Sequence, residues 1–207
     1  MTKKSGYQPK PRNTNQRHRK KIILLATEGK NKTETHYFRS LTGPTHVIRF
    51  APGNYTDPVN MIQALKDEFE DKALSPEMGD AAYCLVDSDM DPVKDKQIES
   101  ADAKAGNMAT VIVSSPCFEV WFLCHFVKST RQYNSNKEVI DALKQYIPDY
   151  SKNMTGIWAI LGDKSEAAIK NAKGLEMHCR ELGLKPHTVA FIPSTEVYKI
   201  LELIPHQ

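Results

Sequence analysis

Apolar positions in this chain follow two patterns. Residues 22–26 and 83–86 are short apolar runs with no polar alternation. Each is too short for a helix and reads as a strand buried on both faces, as in a parallel sheet. Weaker strand patterns occur at 46–50, 110–113 and 189–192. Between them the apolar spacing turns helical. Thr33-Glu34 opens a helix carrying Tyr37, Phe38 and Leu41. Asp57-Pro58 reads as an N-cap with proline at the first helical position, ahead of Ile62, Leu65 and Phe69. Residues 95–105 read as a polar surface helix.

Ser114-Ser115-Pro116 is expected to start a helix that is apolar on nearly every side, through Phe118, Val120, Trp121, Phe122, Leu123 and Phe126. Such a helix is buried. Asn136 opens another, with Ile140, Leu143 and Ile147, ended by Pro148. Residues 157–161 form a short helical segment. Asp163 and Glu166 have capping-box spacing ahead of a stripe of Ala168, Ala172, Leu175, Cys179 and Leu182. Pro193-Ser194-Thr195 then caps a closing helix with Val197, Ile200, Leu201 and Ile204. Strand and helix alternating in this way predict an α/β domain over 21–207. It has four or five largely parallel strands, helices on both faces and a helical annex at about 128–185.

Charge changes the picture at one end. Residues 1–21 hold eight Lys/Arg and no acid, whereas the remainder has twenty basic against twenty-five acidic residues. Residues 1–20 therefore read either as a flexible basic arm for nucleic acid or as a solubilising tail. No apolar run approaches a membrane span, and the polar, basic start predicts no signal peptide. The four cysteines make no C-x-x-C pair, and three of them lie in apolar segments and read as small core residues in a reducing cytoplasm. Cys124-His125 is a poor zinc pair, because neighbours on a helix point ~100° apart.

The candidate chemistry lies where strands end. The run at 83–86 climbs into Asp87, Asp89 and Asp91. The first strand ends in Thr27-Glu28-Gly29. Carboxylates at the carboxyl edge of a parallel sheet stand where ligands bind in open α/β folds. Like charges so close call for a cation, and oxygen-only ligands favour Mg²⁺ or Mn²⁺. An EF-hand counted from Asp87 needs glycine sixth and glutamate twelfth, but Pro92 and Ile98 stand there. A phosphatase of the haloacid type has its Asp-x-Asp after the first strand, not the third. A solvated acidic turn remains the bland alternative. Lys30 and Lys32 could face a phosphate, although the P-loop pattern is absent. Glu119, the one acid at the start of the apolar helix, needs a partner or a job unless it simply sits in the field of the helix dipole. Helix starts at Thr33 and Ser194-Thr195 could receive phosphate, and Lys199 could add charge there.

A glutamate after one strand and Asp-x-Asp after another resembles the Toprim arrangement of topoisomerases, primases and certain nucleases. Three further stretches sharpen this. Glu28-Gly29-Lys30 leads to Thr33-Glu34 and Tyr37-Phe38. Ser115-Pro116-Cys117-Phe118-Glu119 leads to Trp121 and Phe126. Pro193-Ser194-Thr195 leads to Val197 and Lys199. In that order they resemble the RloB family from about residue 20 onward. The resemblance implies a Toprim-like domain with nuclease-like activity, found in phage-defence operons beside an ABC or AAA ATPase. It implies Glu28 as the Toprim glutamate, Asp87 and Asp89 as metal ligands, and Glu119 as the acid of the family's own motif. A Mg²⁺-dependent endonuclease acting on nucleic acid, tRNA included, is the expectation. A non-catalytic scaffold for an ATPase or for nucleic-acid sensing is the alternative. The chain is too short for the strand-passage machinery of a topoisomerase and lacks a primase zinc ribbon.

Overall fold

The computed structural model describes residues 19–28, 32–152 and 154–204. One five-stranded sheet has the order β2-β1-β3-β4-β5. Its strands are β1 Lys21–Thr27, β2 His46–Phe50, β3 Ala81–Asp87, β4 Thr110–Ser115 and β5 Ser194–Thr195. The first four run parallel, and β5 pairs antiparallel with the end of β4. This mostly parallel α/β sheet is consistent with a Toprim-like arrangement.

The alternating directions of side chains along β1 and β3 build two cores. Leu24, Ala26, Ala82, Cys84 and Val86 face one side. There they meet Met61, Ile62, Leu65 and Phe69 of α2 (Pro58–Asp71) and Ile98 and Ala101 of α3 (Pro92–Ala105). Ile23, Leu25, Tyr83 and Leu85 face the other. That side is covered by α1 (Lys32–Arg39), α4 (Glu119–Cys124) and the helices α5 (Asn136–Leu143), α6 (Trp158–Leu161), α7 (Ser165–Glu181) and α8 (Tyr198–Leu201). Residues 128–185 thus share the sheet's own core. All four cysteines are buried and free. No described helix is long and apolar enough to cross a membrane.

All six residues of α4 are buried. Its aromatics lock α1 in place. Tyr37 lies 5.4 Å from Phe122 and 6.0 Å from Phe118, ring centre to ring centre. This contact fixes how α1 approaches the carboxyl edge of the sheet.

Several boundaries differ from the sequence expectation. Residues 189–192 are not a strand: Phe191 and Ile192 donate to Thr188 and Ala190 in turns, and Val189 N–H goes to Asp95. Pro193 has no N–H for a ladder, so pairing falls to Ser194–Thr195 and the closing helix starts only at Tyr198. Ser115 ends β4 instead of capping a helix, and its hydroxyl pairs with Ser88 at 2.8 Å. The third helix starts at Pro92, not at 95, because Asp91 caps it through Val93 N–H. Asn136 opens α5 as expected, but the helix ends at Leu143 and does not reach Ile147. Asp163 pairs with Lys164 and caps nothing, since a 3₁₀ turn precedes α7. Leu182 lies past the end of α7 and is exposed.

The basic arm was bounded at 1–20, yet Arg19 and Lys20 belong to the body. Arg19 grips Asp80 with both Nη atoms, and Lys20 donates to Gly43 O at 2.9 Å. Both contacts lie at the amino edge of the sheet, away from the acids. The rest of the arm is outside the described residues.

Candidate active site

Glu28 follows β1 directly, and Asp87 is the last residue of β3. These strands are neighbours, with Thr27 opposite Leu85, so both acids reach the same edge. Beyond Asp87 the chain turns sharply. Ser88 is fully buried and donates its N–H to Ser114 O at 2.9 Å. Asp89 and Met90 then adopt left-handed conformations, with φ of 48° and 55°. Such values are uncommon outside glycine, and aspartate tolerates them better than most residues. The turn aims Asp89 back at the strand ends.

A lysine joins the acids. Lys94, in the first turn of α3, donates to both carboxylate oxygens of Glu28 at 2.8 and 2.9 Å, to Asp89 Oδ2 at 2.8 Å and to Asp87 O at 3.0 Å. Glu28 and Asp89 therefore lie within two hydrogen-bond lengths of each other.

Two acids close the site from the helical side. Glu119, at the start of α4, is buried. Its Oε1 accepts from Tyr150 Oη at 3.0 Å and lies 3.7 Å from Lys152 Nζ, while its Oε2 is buried without a hydrogen-bond partner among the described residues. Glu34 of α1 is also buried. It sits three and four residues before Tyr37 and Phe38, on the same helix face, so the aromatic contact with α4 carries it inward. The segment 128–185 adds a rim. Asn136 Nδ2 donates to Asp89 Oδ1 at 2.8 Å, and Thr33 donates to Lys152 O at 2.6 Å.

The electrostatics centre on Asp87. It keeps part of its surface open to solvent. Even so, burial raises its pKa well above the carboxylate range, and the charges of Glu34, Glu119, Asp89 and Glu28 add to the effect. Burial also raises Glu28, against the pull of Lys94. Burial works against the Lys94 charge, but bonds to Asp89 and Glu28 outweigh it and hold the ammonium firmly protonated. Tyr150 is pushed up by burial and by Glu119, so it keeps its proton and donates. Clustered like charges that perturb one another in this way are the usual mark of a functional site.

Of the residues picked from sequence, Glu28, Asp87, Asp89 and Glu119 come together. Lys199 instead pairs with Glu196 at 2.5 Å, in a separate network where His187 bridges Asp102 and Glu196. Lys30 lies outside the described residues, as does the side chain of Lys32. Sequence reasoning missed Glu34, Lys94, Asn136, Tyr150 and Lys152. Only Glu34 carried a usable signal, its helical spacing to Tyr37 and Phe38.

Among the described residues no three His, Cys, Asp or Glu side chains are drawn into a ready ligand group. Glu28 and Asp89 are turned toward the Lys94 ammonium instead. A cavity of about 520 Å³, lined by Trp158, Asp163, Glu166 and Leu201 among others, shares no residue with the acid site.

A family model described as RloB-like protein matches residues 23–204, so the chain belongs to the RloB-like family. No curated protein and no solved structure matches it.

Proposed function

We propose that this RloB-like chain is a divalent-metal-dependent nuclease. It cleaves phosphodiester bonds of nucleic acid, tRNA among the candidates, as a phage-defence effector under the control of an ATPase of ABC or AAA type. The observation that carries this reading is the meeting of Glu28, Asp87, Asp89 and Glu119, with Glu34, at the carboxyl edge of a parallel sheet.

The residues suit a hard cation. All five acids offer oxygen only, which fits Mg²⁺ or Mn²⁺. Glu119 Oε2 is buried with no hydrogen-bond partner among the described residues, and Asp87 is pressed by four other carboxylates. A bound cation relieves both. Asp87 and Glu119 would hold it, with Asp89 through Oδ1, the oxygen Lys94 does not take, and it would polarise a phosphoryl oxygen and stabilise the leaving oxygen.

The protein's own groups have separate tasks. Glu28, with its pKa raised by burial, is placed to take or return a proton at the reacting water or leaving oxygen. Tyr150 fixes the rotamer of Glu119 through its hydrogen bond. Asn136 orients Asp89. Lys152, half exposed at the rim beside Glu119, offers charge to an incoming phosphate.

A second reading has one observation behind it. Lys94 already pairs with both Glu28 and Asp89, so these acids have a structural partner without a metal, as in a non-catalytic scaffold. Cleavage of labelled tRNA, single-stranded DNA and duplex DNA with Mg²⁺ or Mn²⁺, with and without the ATPase encoded nearby, separates the two. Glu28→Gln and Asp87→Asn should abolish cleavage while leaving ATPase binding intact. Wild-type cleavage by both variants, or no cleavage by the complete wild-type complex, returns the scaffold.

A further inference from the structure

We propose that Lys94 is a built-in second cation of the carboxylate site, so that the chain takes one divalent metal where two would otherwise fit. The inference rests on reading these acids as a metal site.

Lys94 stands in an unfavourable place for a lysine. The first turn of a helix carries the positive end of the helix dipole, which disfavours a cation. Its side chain is only 13% exposed. Four oxygens from three residues offset that cost: both of Glu28, one of Asp89 and the main-chain oxygen of Asp87, all within 3.0 Å. Three of the four belong to carboxylates, so the ammonium is held as a metal ion would be, by converging hard oxygens.

The five acids thereby divide. Glu28 and Asp89 face Lys94. Asp87, Glu34 and Glu119 lie toward the helical side, where the nearest ion pair is the longer, half-exposed contact of Lys152 with Glu119. There too lies the buried Oε2 of Glu119, which has no hydrogen-bond partner among the described residues. A metal between Glu28 and Asp89 would need the oxygens Lys94 holds, at the shorter ~2.0–2.1 Å of a Mg–O bond. It would strip the lysine of its three carboxylate oxygens and leave it only the main-chain oxygen of Asp87. A metal on the Asp87–Glu119 side leaves Lys94 in place, as a fixed positive charge across from it. Two-metal sites use the second ion to clamp the opposite oxygen of the scissile phosphate. Lys94 supplies that charge without a second ion.

Counting Mn²⁺ tests this. The full chain is titrated calorimetrically, with native mass spectrometry as a check, for wild type, Lys94→Arg, Lys94→Met and Lys94→Gln, each shown to be folded by its melting transition. Wild type and Lys94→Arg should take about one Mn²⁺ per chain. The neutral variants should take about two, because Glu28 and Asp89 are freed. Two ions in wild type, or one ion still in both folded neutral variants, overturns the proposal while leaving the metal site standing. No binding by any of the four proteins overturns it together with the metal-site reading.

Discussion

Asp80 stands just before β3 and Asp87 at its end, and neutralising them should move stability in opposite directions. The Asp80 side chain is fully buried but fully served. It accepts from Arg19 Nη1 and Nη2 at 2.9 and 2.8 Å, from Ile22 N–H at 2.8 Å and from Ser75 N–H at 3.0 Å. Burial opposes its charge, yet these bonds outweigh burial and hold its pKa below the usual range. In Asp80→Asn one oxygen becomes an NH₂ donor and must face a backbone N–H. An orphaned buried donor costs about 1–3 kcal/mol, and weaker bonds at the remaining oxygen bring the loss to about 2–4 kcal/mol. For a chain of this length that lowers Tm by about 5–15 °C. Burial and four neighbouring acids at Asp87 outweigh the nearby Lys152 charge, so Asp87→Asn should raise the Tm of metal-free protein. A metal at a hundred times its Kd adds about 2.7 kcal/mol, or about 5–10 °C, to wild type, and that gain should vanish in Asp87→Asn. Thermal melts of the three proteins in chelator and in excess Mn²⁺ read all of this. A metal-free Asp87→Asn that melts below wild type would refute the reasoning, for Asp87 would then be an ordinary satisfied acid.

Two further outcomes follow from charge. Burial opposes protonation of His187, but its bonds to Asp102 and Glu196 prevail and raise its pKa to about 9. Lys199 is the other cation on Glu196. The stability His187 contributes is full below its ordinary 6.5 and is lost as pH rises through about 9. His187→Asn, which tolerates the local φ of 61°, should flatten the fall of Tm across that window; an unchanged fall assigns it to other groups. Separately, deleting residues 1–18 removes Lys3, Lys4, Lys10, Arg12 and Arg17. It should weaken nucleic-acid binding and flatten log K against log salt by roughly 0.9 per lost phosphate contact on duplex DNA. Binding that is unchanged at every salt concentration leaves the arm a solubilising role.

The double-sided apolar runs at β1 and β3 were readable because burial on both faces leaves no polar alternation, and the two cores bear this out. Strand ends are equally readable, so Glu28, Asp87 and Asp89 could be assigned to one edge before any coordinates. The two-residue β5 could not, since two residues carry no period. The start of α3 lies earlier than its sequence suggests, because Asp91, which stands in line with the acids, uses its oxygen to cap the helix.

Local pattern alone determined the α/β class, the mostly parallel sheet and the acids that follow its strands. Each depends on residues close together in the chain, where periodicity and turn chemistry act directly. Tertiary structure decided what surrounds those acids. Lys94 meets Glu28 across 66 positions, Asn136 meets Asp89 across 47, and Tyr150 meets Glu119 across 31. No spacing rule spans such separations. The packing of aromatic α4 on α1, and of the 128–185 segment over both, brings these groups to the sheet edge, and the low polarity of that packing makes each charge there matter.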